Sequence, residues 1–175
     1  GTVPAGTLTP ASSDASFRRY FRWQGGERTL VIMDAPPPQE NCQPFVDIDH
    51  LLFEAGLNVP IIHAQDIDRG FLLLSDLGRQ TYFDYLQDAP SHARIHELYV
   101  DAIDTLVRMQ QIAPQGLARY DAPRLADELA VFPEWYVERH CGHTLSDDER
   151  VWLDAVNGAL VSRNAAQPLV LVHRD

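Results

Sequence analysis

At 175 residues the chain carries about one domain's worth of material, and 45% apolar against 22% charged residues is the balance of a globular protein, which excludes disorder along its whole length. Fourteen basic against 25 acidic residues leave a net charge of -11, so the global field repels nucleic acid and anionic membrane and argues against polyanionic macromolecules as partners. Every basic residue is Arg, which removes Schiff-base lysines, a Walker A loop and a Ser-x-x-Lys acylating centre at one stroke.

In chain order, GTVPAGTLTPASS has no basic stretch leading into an apolar run, so no export signal is expected. Phe17 to Gln24 and Thr29 to Met33 read as two strands of a hairpin turning at Gly25-Gly26, closed by Pro36-Pro37-Pro38. Pro44 opens a helix whose apolar positions Phe45, Ile48, Leu51, Leu52 and Ala55 recur at three and four residue steps until Gly56. Val59 to Ile67 and Phe71 to Ser75 form a second hairpin around Asp68-Arg69-Gly70.

After Asp76-Leu77-Gly78 the period becomes helical. This predicts a sheet-based lobe over residues 1–76 and a helical one over 77–175, joined by a short connector. Ile95, Leu98, Tyr99, Ala102, Ile103, Leu106 and Val107 form the stripe of a long helix, and another runs from Leu125 to Arg139 with a bend at Pro133. Ser146 and Glu149 make a capping box for a last helix with Trp152, Leu153, Val156 and Leu160 as its buried face, and the acidic run Asp147-Asp148-Glu149 suits the first-turn dipole. Pro168 introduces a short apolar strand, Leu169 to Val172, that delivers His173-Arg174-Asp175.

That tripeptide after a short strand is the opening of a phosphotransfer catalytic loop, in which the Asp accepts or orients the proton of the attacking hydroxyl. Hairpin, helix, hairpin, connector and helical lobe come in the order of a protein-kinase-like fold. Cys42 and Cys141 form no Cys-x-x-Cys, which speaks against a disulfide framework or zinc ribbon and for a reducing cytoplasm. His92 with His96, and His140 with Cys141 and His143, are the remaining places where a metal could be held, each against the commoner solvated or capping role. Trp135 with Tyr136 could stack on a sugar ring or simply pack.

Ser13-Asp14-Ala15-Ser16-Phe17-Arg18-Arg19-Tyr20-Phe21-Arg22, Met33-Asp34-Ala35-Pro36-Pro37, Gly70-Phe71-Leu72-Leu73-Leu74-Ser75-Asp76-Leu77-Gly78 and Val172-His173-Arg174-Asp175 together resemble the aminoglycoside phosphotransferase family. Within it they look most like the bacterial anomeric kinases of N-acetylmuramate and N-acetylglucosamine in cell-wall recycling. The resemblance implies an α+β, protein-kinase-like two-lobe fold, ATP and Mg2+ as cofactors, a small-molecule acceptor, a cytoplasmic location, and no nucleic-acid or membrane partner.

Carried over to this chain, the resemblance makes Ser13, Asp14, Ala15, Ser16, Phe17 and Arg18 the turn over the ATP phosphates. Val31 and Met33 become the strand residues over the adenine, and Leu74, Ser75, Asp76 and Leu77 the connector whose backbone reads its edge. His173 and Arg174 would shape the loop around Asp175 as the carboxylate that orients the acceptor. Met33 stands where such folds keep a lysine, so Arg18 or Arg19 is expected to meet the phosphate charge. Asp47 and Asp49, where the lysine's acidic partner usually lies, are expected to be solvated.

The magnesium ligands of this family follow His-Arg-Asp, so no metal ligand is expected within these 175 residues. The chain by itself is then expected to be inactive, with Leu98, Leu106, Trp152 and Leu160 short of packing partners. Two other functional readings stay open: a phosphotransferase acting on an aminoglycoside, choline or homoserine-type alcohol, and a non-catalytic nucleotide- or partner-binding fragment.

Overall fold

The computed structural model describes residues 5–13, 16–113 and 116–173, and the chain divides into two compact units, residues 1–109 and 110–175. Each unit is described by itself.

The first unit is built on an antiparallel sheet of five strands, β1 (Thr7–Ser13), β2 (Arg19–Gly25), β3 (Arg28–Asp34), β4 (Ile62–Asp66) and β5 (Phe71–Ser75), in the order β1-β2-β3-β5-β4. Gly25 pairs with Arg28, so the hairpin turns at Gly26-Glu27, one residue later than Gly25-Gly26. Gly26 supplies the positive φ of 63° that the turn needs. Gly25 is a glycine for a different reason: a Cβ there would overlap the Trp23 ring. Val59 to Pro60 stay outside β4, which begins at Ile62 and carries an irregularity between Ile62 and Ala64.

Helix α1 (Gln43–Glu54) starts with Pro in its first turn and is stopped at Gly56, φ 73°. Its buried face is turned by about one residue from the predicted stripe: Val46 and Asp49 are its enclosed positions, with Cys42 just ahead, while Phe45, Ile48, Leu51 and Leu52 flank them half-buried. Val46 and Cys42 join Met33, Ala35, Leu72 and Leu74 in the core. Cross-strand register explains which sheet face this is, since Tyr20 pairs with Met33 and Met33 with Leu72, while Arg22 pairs with Val31 and Val31 with Leu74. Gly70 closes the β4–β5 turn with φ 75° and presses on Ala35, whose N–H donates to the Gly70 carbonyl at 2.8 Å.

Beyond the sheet, α2 (Tyr82–Gln87) opens on a Thr81/Asp84 capping box, and α3 (His92–Gln110) buries Leu98 and Met109. The change from strand to helix falls between β5 and α2, but α3 still belongs with the sheet: the Arg108 guanidinium donates to the Gly56 carbonyl at 2.7 Å. Of the residues expected to lack packing, Leu98 is in fact buried at 7% exposure, whereas Leu106 is exposed.

In the second unit α4 (Ala122–Val131) is capped by Asp121 and runs into a π-helical segment, Phe132–His140, which replaces the single bent helix of the sequence reading. Pro133 has no N–H and its ring crowds the preceding turn, so the backbone widens there, and the Cys141 N–H reaches back five residues to the Tyr136 carbonyl. The rings of Phe132, Tyr136 and His140 stack at 5.6 and 5.5 Å.

Helix α5 (Asp147–Ala165) has the Ser146/Glu149 capping box and three acidic residues in its first turn, with His143 3.2 Å from Glu149. Its predicted buried face is not the one observed. Trp152 is 73% exposed, Val156 and Leu160 are also exposed, and the half-buried line is Leu153, Asn157 and Val161, a strict four-residue repeat. The strand expected at Leu169 to Val172 is absent among the described residues. A strand exists only as part of a ladder, and no described segment pairs with this one.

Candidate functional site

The turn after β1 is the place the resemblance assigns to nucleotide phosphates. Asp14 and Ala15 lie outside the described residues, and Ser13 ends β1. From Ser16 onward the turn is tied to the segment ahead of α1: the Phe17 N–H donates to Glu40 Oε1 at 3.0 Å, and Arg18 Nε stands 4.0 Å from Glu40 Oε2. Arg18 also donates through its backbone N–H and its Nε to Ser16 Oγ, at 3.1 and 3.2 Å. Arg19, directly across the ladder from Asp34, donates from Nη2 to the Asp34 carboxylate. Both arginines offered as stand-ins for the missing lysine are therefore held beside a carboxylate, Arg18 by Glu40 and Arg19 by Asp34, and each keeps part of its side chain in solvent.

Met33 is completely enclosed and Leu74 nearly so, both in the core beneath α1. Core packing occupies their side chains, and what they can offer a ligand is backbone. Val31 is half-buried on the same face.

The helix that follows holds a surprise for the sequence reading. Asp47 is exposed and accepts from Gln43 at 2.7 Å, but Asp49 is buried at 6% exposure with its Oδ1 lacking any hydrogen-bond partner. The expectation that both are solvated fails for Asp49, because it lies one helical turn beyond Val46 on the face that covers the sheet. Removal from water holds its carboxyl above the usual 3.8, an effect partly offset by neighbouring His50.

The connector is pinned from within. Ser75 is bound to Ile61 at both its N–H (2.9 Å) and its Oγ (2.8 Å), and Leu77 is exposed. Asp76 turns inward to Arg22: Nε to Oδ2 is 2.7 Å and Nη2 to Oδ1 is 3.0 Å, while Nη2 also donates to the Gly78 carbonyl at 2.7 Å and the Gly78 N–H donates to Asp76 Oδ1 at 3.0 Å. The fork from Arg22 holds the Asp76 carboxyl at about 2, against the opposing cost of burial. Arg22 itself escaped the sequence reading as a site residue. Its signal was positional, since an Arg two residues beyond Tyr20 on a strand shares the face that packs inward.

His173 is exposed, and Arg174 and Asp175 lie outside the described residues. Among the described residues no three His, Cys, Asp or Glu side chains converge, so His140, Cys141 and His143 do not form a metal cluster and His92 with His96 gains no third ligand. Trp135 is partly exposed with the Arg139 guanidinium 3.9 Å over its ring, which occupies one face of the indole. No helix among the described residues is long and apolar enough to cross a membrane.

Comparison with known proteins extends this geometry. Three relatives are named N-acetylmuramate/N-acetylglucosamine kinase. That of Pseudomonas putida is 54% identical over 100% of this chain and 51% of its own length. That of Pseudomonas aeruginosa is 53% identical over the same shares, 100% and 51%. That of Neisseria meningitidis serogroup B is 36% identical over 96% of this chain and 50% of its own. The chain thus spans about half the length of the curated relatives it matches. The profile described as the phosphotransferase enzyme family matches residues 7–175. A match running from β1 to the terminal His-Arg-Asp takes in every element built above, and on that ground the chain belongs to the APH phosphotransferase enzyme family, with its kinase-like α+β fold.

Proposed function

We propose that the protein is an ATP-dependent kinase that transfers the γ-phosphoryl group to the anomeric hydroxyl of N-acetylmuramate or N-acetylglucosamine, in the cytoplasm and in the service of cell-wall recycling. The observation that carries this reading is 54% identity, across the whole of this chain, to a kinase named for those two sugars. Residues 1–76 act as the nucleotide lobe and 77–175 as the first part of the helical lobe.

In the reaction, a bond forms between the anomeric oxygen and the γ-phosphorus while the bond from that phosphorus to the β,γ-bridging oxygen breaks, releasing ADP. The hydroxyl proton passes to the Asp175 carboxylate, which also aims the oxygen. Arg174 and His173 shape the loop that presents it. The turn from Ser13 to Arg18 covers the phosphates, with the guanidinium of Arg18 meeting their charge and Arg19 behind it. The backbone of Leu74 to Leu77 meets the adenine edge, and Val31 lies against its ring. Magnesium, as cofactor, would neutralise charge on the phosphates, with its protein ligands supplied from outside the described residues.

The test is coupled ADP release by the full-length gene product with N-acetylmuramate, N-acetylglucosamine, choline and kanamycin-like amines as acceptors. Turnover with either sugar is expected. Silence with both sugars alongside turnover of an amine or choline would move the protein to another branch of the family.

A further inference from the structure

We propose that Arg22 is a positioning residue for the nucleotide, acting through Asp76 as a clamp that fixes the backbone of the connector; the inference rests on the kinase reading above. Two parts of the nucleotide site come from distant stretches of sequence. The phosphate-covering turn leads directly into β2, and Arg22 lies on that strand, whereas the connector follows β5. The Arg22 to Asp76 contact joins them directly, spanning 54 positions.

Ser75 is anchored by its two hydrogen bonds to Ile61, and beyond it the clamp takes over. Leu77 is exposed, and Gly78 has φ 107° with open space where a side chain would stand, so packing does not set residues 76–78. Both backbone groups of Gly78 are instead consumed by the clamp, its carbonyl by Arg22 Nη2 and its N–H by Asp76 Oδ1. The pair is enclosed, with side-chain exposures of 10% and 5%.

An enclosed ion pair is a poor device for stability, because apolar residues of the same volume do as well or better. Its advantage is direction: a planar fork meets a carboxylate in one orientation, and that orientation passes through Asp76 to the peptide groups beside it. Lysine, a point charge on a flexible stem, can neutralise Asp76 but cannot reach Asp76 through two nitrogens and Gly78 as well.

The experiment measures initial rates of the full-length enzyme with ATP varied at saturating sugar, and with sugar varied at saturating ATP, for the wild type, Arg22→Lys, Arg22→Gln, Asp76→Asn and the Arg22→Gln/Asp76→Asn pair. The KM for ATP is expected to rise roughly tenfold in Arg22→Gln and Asp76→Asn, as a displacement of about 1 Å in a positioning element allows, and by less in Arg22→Lys. The KM for sugar should stay within about twofold, and the paired variant should be no worse than the poorer single one, as for two residues acting as a unit.

A folded Arg22→Gln with an unchanged KM for ATP would overturn the clamp, and so would equal rises in both KM values. If the uncharged variants do not fold, Arg22→Lys keeps the charge but loses the two-nitrogen fork, and a rise confined to the KM for ATP again supports the clamp while no change overturns it. A wild type without turnover on any sugar would remove the kinase reading and the clamp's role with it, which keeps the two failures apart.

Discussion

Replacing Asp49 by Leu should make the protein more stable at neutral pH. The two side chains have the same branched skeleton of heavy atoms, so Leu fills the Asp49 site without a new cavity. What the substitution removes is an enclosed carboxylate, 6% exposed, one oxygen of which has no hydrogen-bond partner. An unsatisfied buried polar group costs about 1–3 kcal/mol, and Leu exceeds Asp in helix propensity by a few tenths of a kcal/mol. The gain at pH 7 is therefore about 2 kcal/mol, or roughly 5 °C in Tm for a chain of this size.

The pH dependence of that gain is specific to the mechanism. Burial raises the folded-state pKa of Asp49 above 3.8, so below 3.8 the group is protonated in both states and costs little. The cost grows as pH rises from 3.8 through the folded-state value and is complete above it. Thermal unfolding of wild type and Asp49→Leu, followed by circular dichroism at pH 7 and near 3.8, should show an advantage that shrinks on acidification. An equal or lower Tm at pH 7, or an advantage independent of pH, would refute the reasoning.

Three other expectations follow from single contacts. Gly70→Ala would drive a Cβ into the Ala35 carbonyl at a residue with φ 75°, and urea unfolding should show a loss of at least about 2 kcal/mol. Ser146→Ala removes the side chain that accepts from the Glu149 N–H at 3.3 Å and should cost about 1 kcal/mol, measured as a lower denaturation midpoint of the second unit. The Asp76 carboxyl, depressed from 3.8 to about 2, contributes about 2 kcal/mol that is present above 3.8 and lost as pH falls toward 2. The stability difference between wild type and Asp76→Asn should therefore close over that acid window, and a constant difference would contradict the pairing.

The parts of this molecule that were legible in the sequence are those fixed by local chemistry. Pro44 and Gly56 bounded α1, Ser146 and Glu149 announced α5, and aromatic-rich or continuous apolar runs between turn residues marked β2, β3 and β5. Features that depend on which neighbour covers a face were not legible. Asp49 was read as solvated because a charged residue on a helix usually is, yet Val46 one turn earlier belongs to the core and carries Asp49 with it. Trp152 and Leu160 were read both as the buried face of α5 and as short of packing partners, and their exposure agrees with the second expectation and not the first. Arg22 was invisible as a site residue because its partner lies across the sheet at Asp76, a pairing only topology reveals. The candidate site divides in the same way: the motifs singled out its segments, while the carboxylates beside Arg18 and Arg19 emerged from the three-dimensional arrangement.

The most direct measurement is phosphorus NMR of the product formed from ATP and N-acetylmuramate or N-acetylglucosamine by the full-length protein, run beside its Asp175→Asn variant. The account predicts a new phosphomonoester signal coupled to the anomeric proton of the sugar, and a rate at least about 100-fold lower in the variant, as expected when the group that takes the hydroxyl proton is lost. Phosphate on any other hydroxyl, no sugar phosphate at all, or an undiminished rate with Asn at position 175 would contradict it.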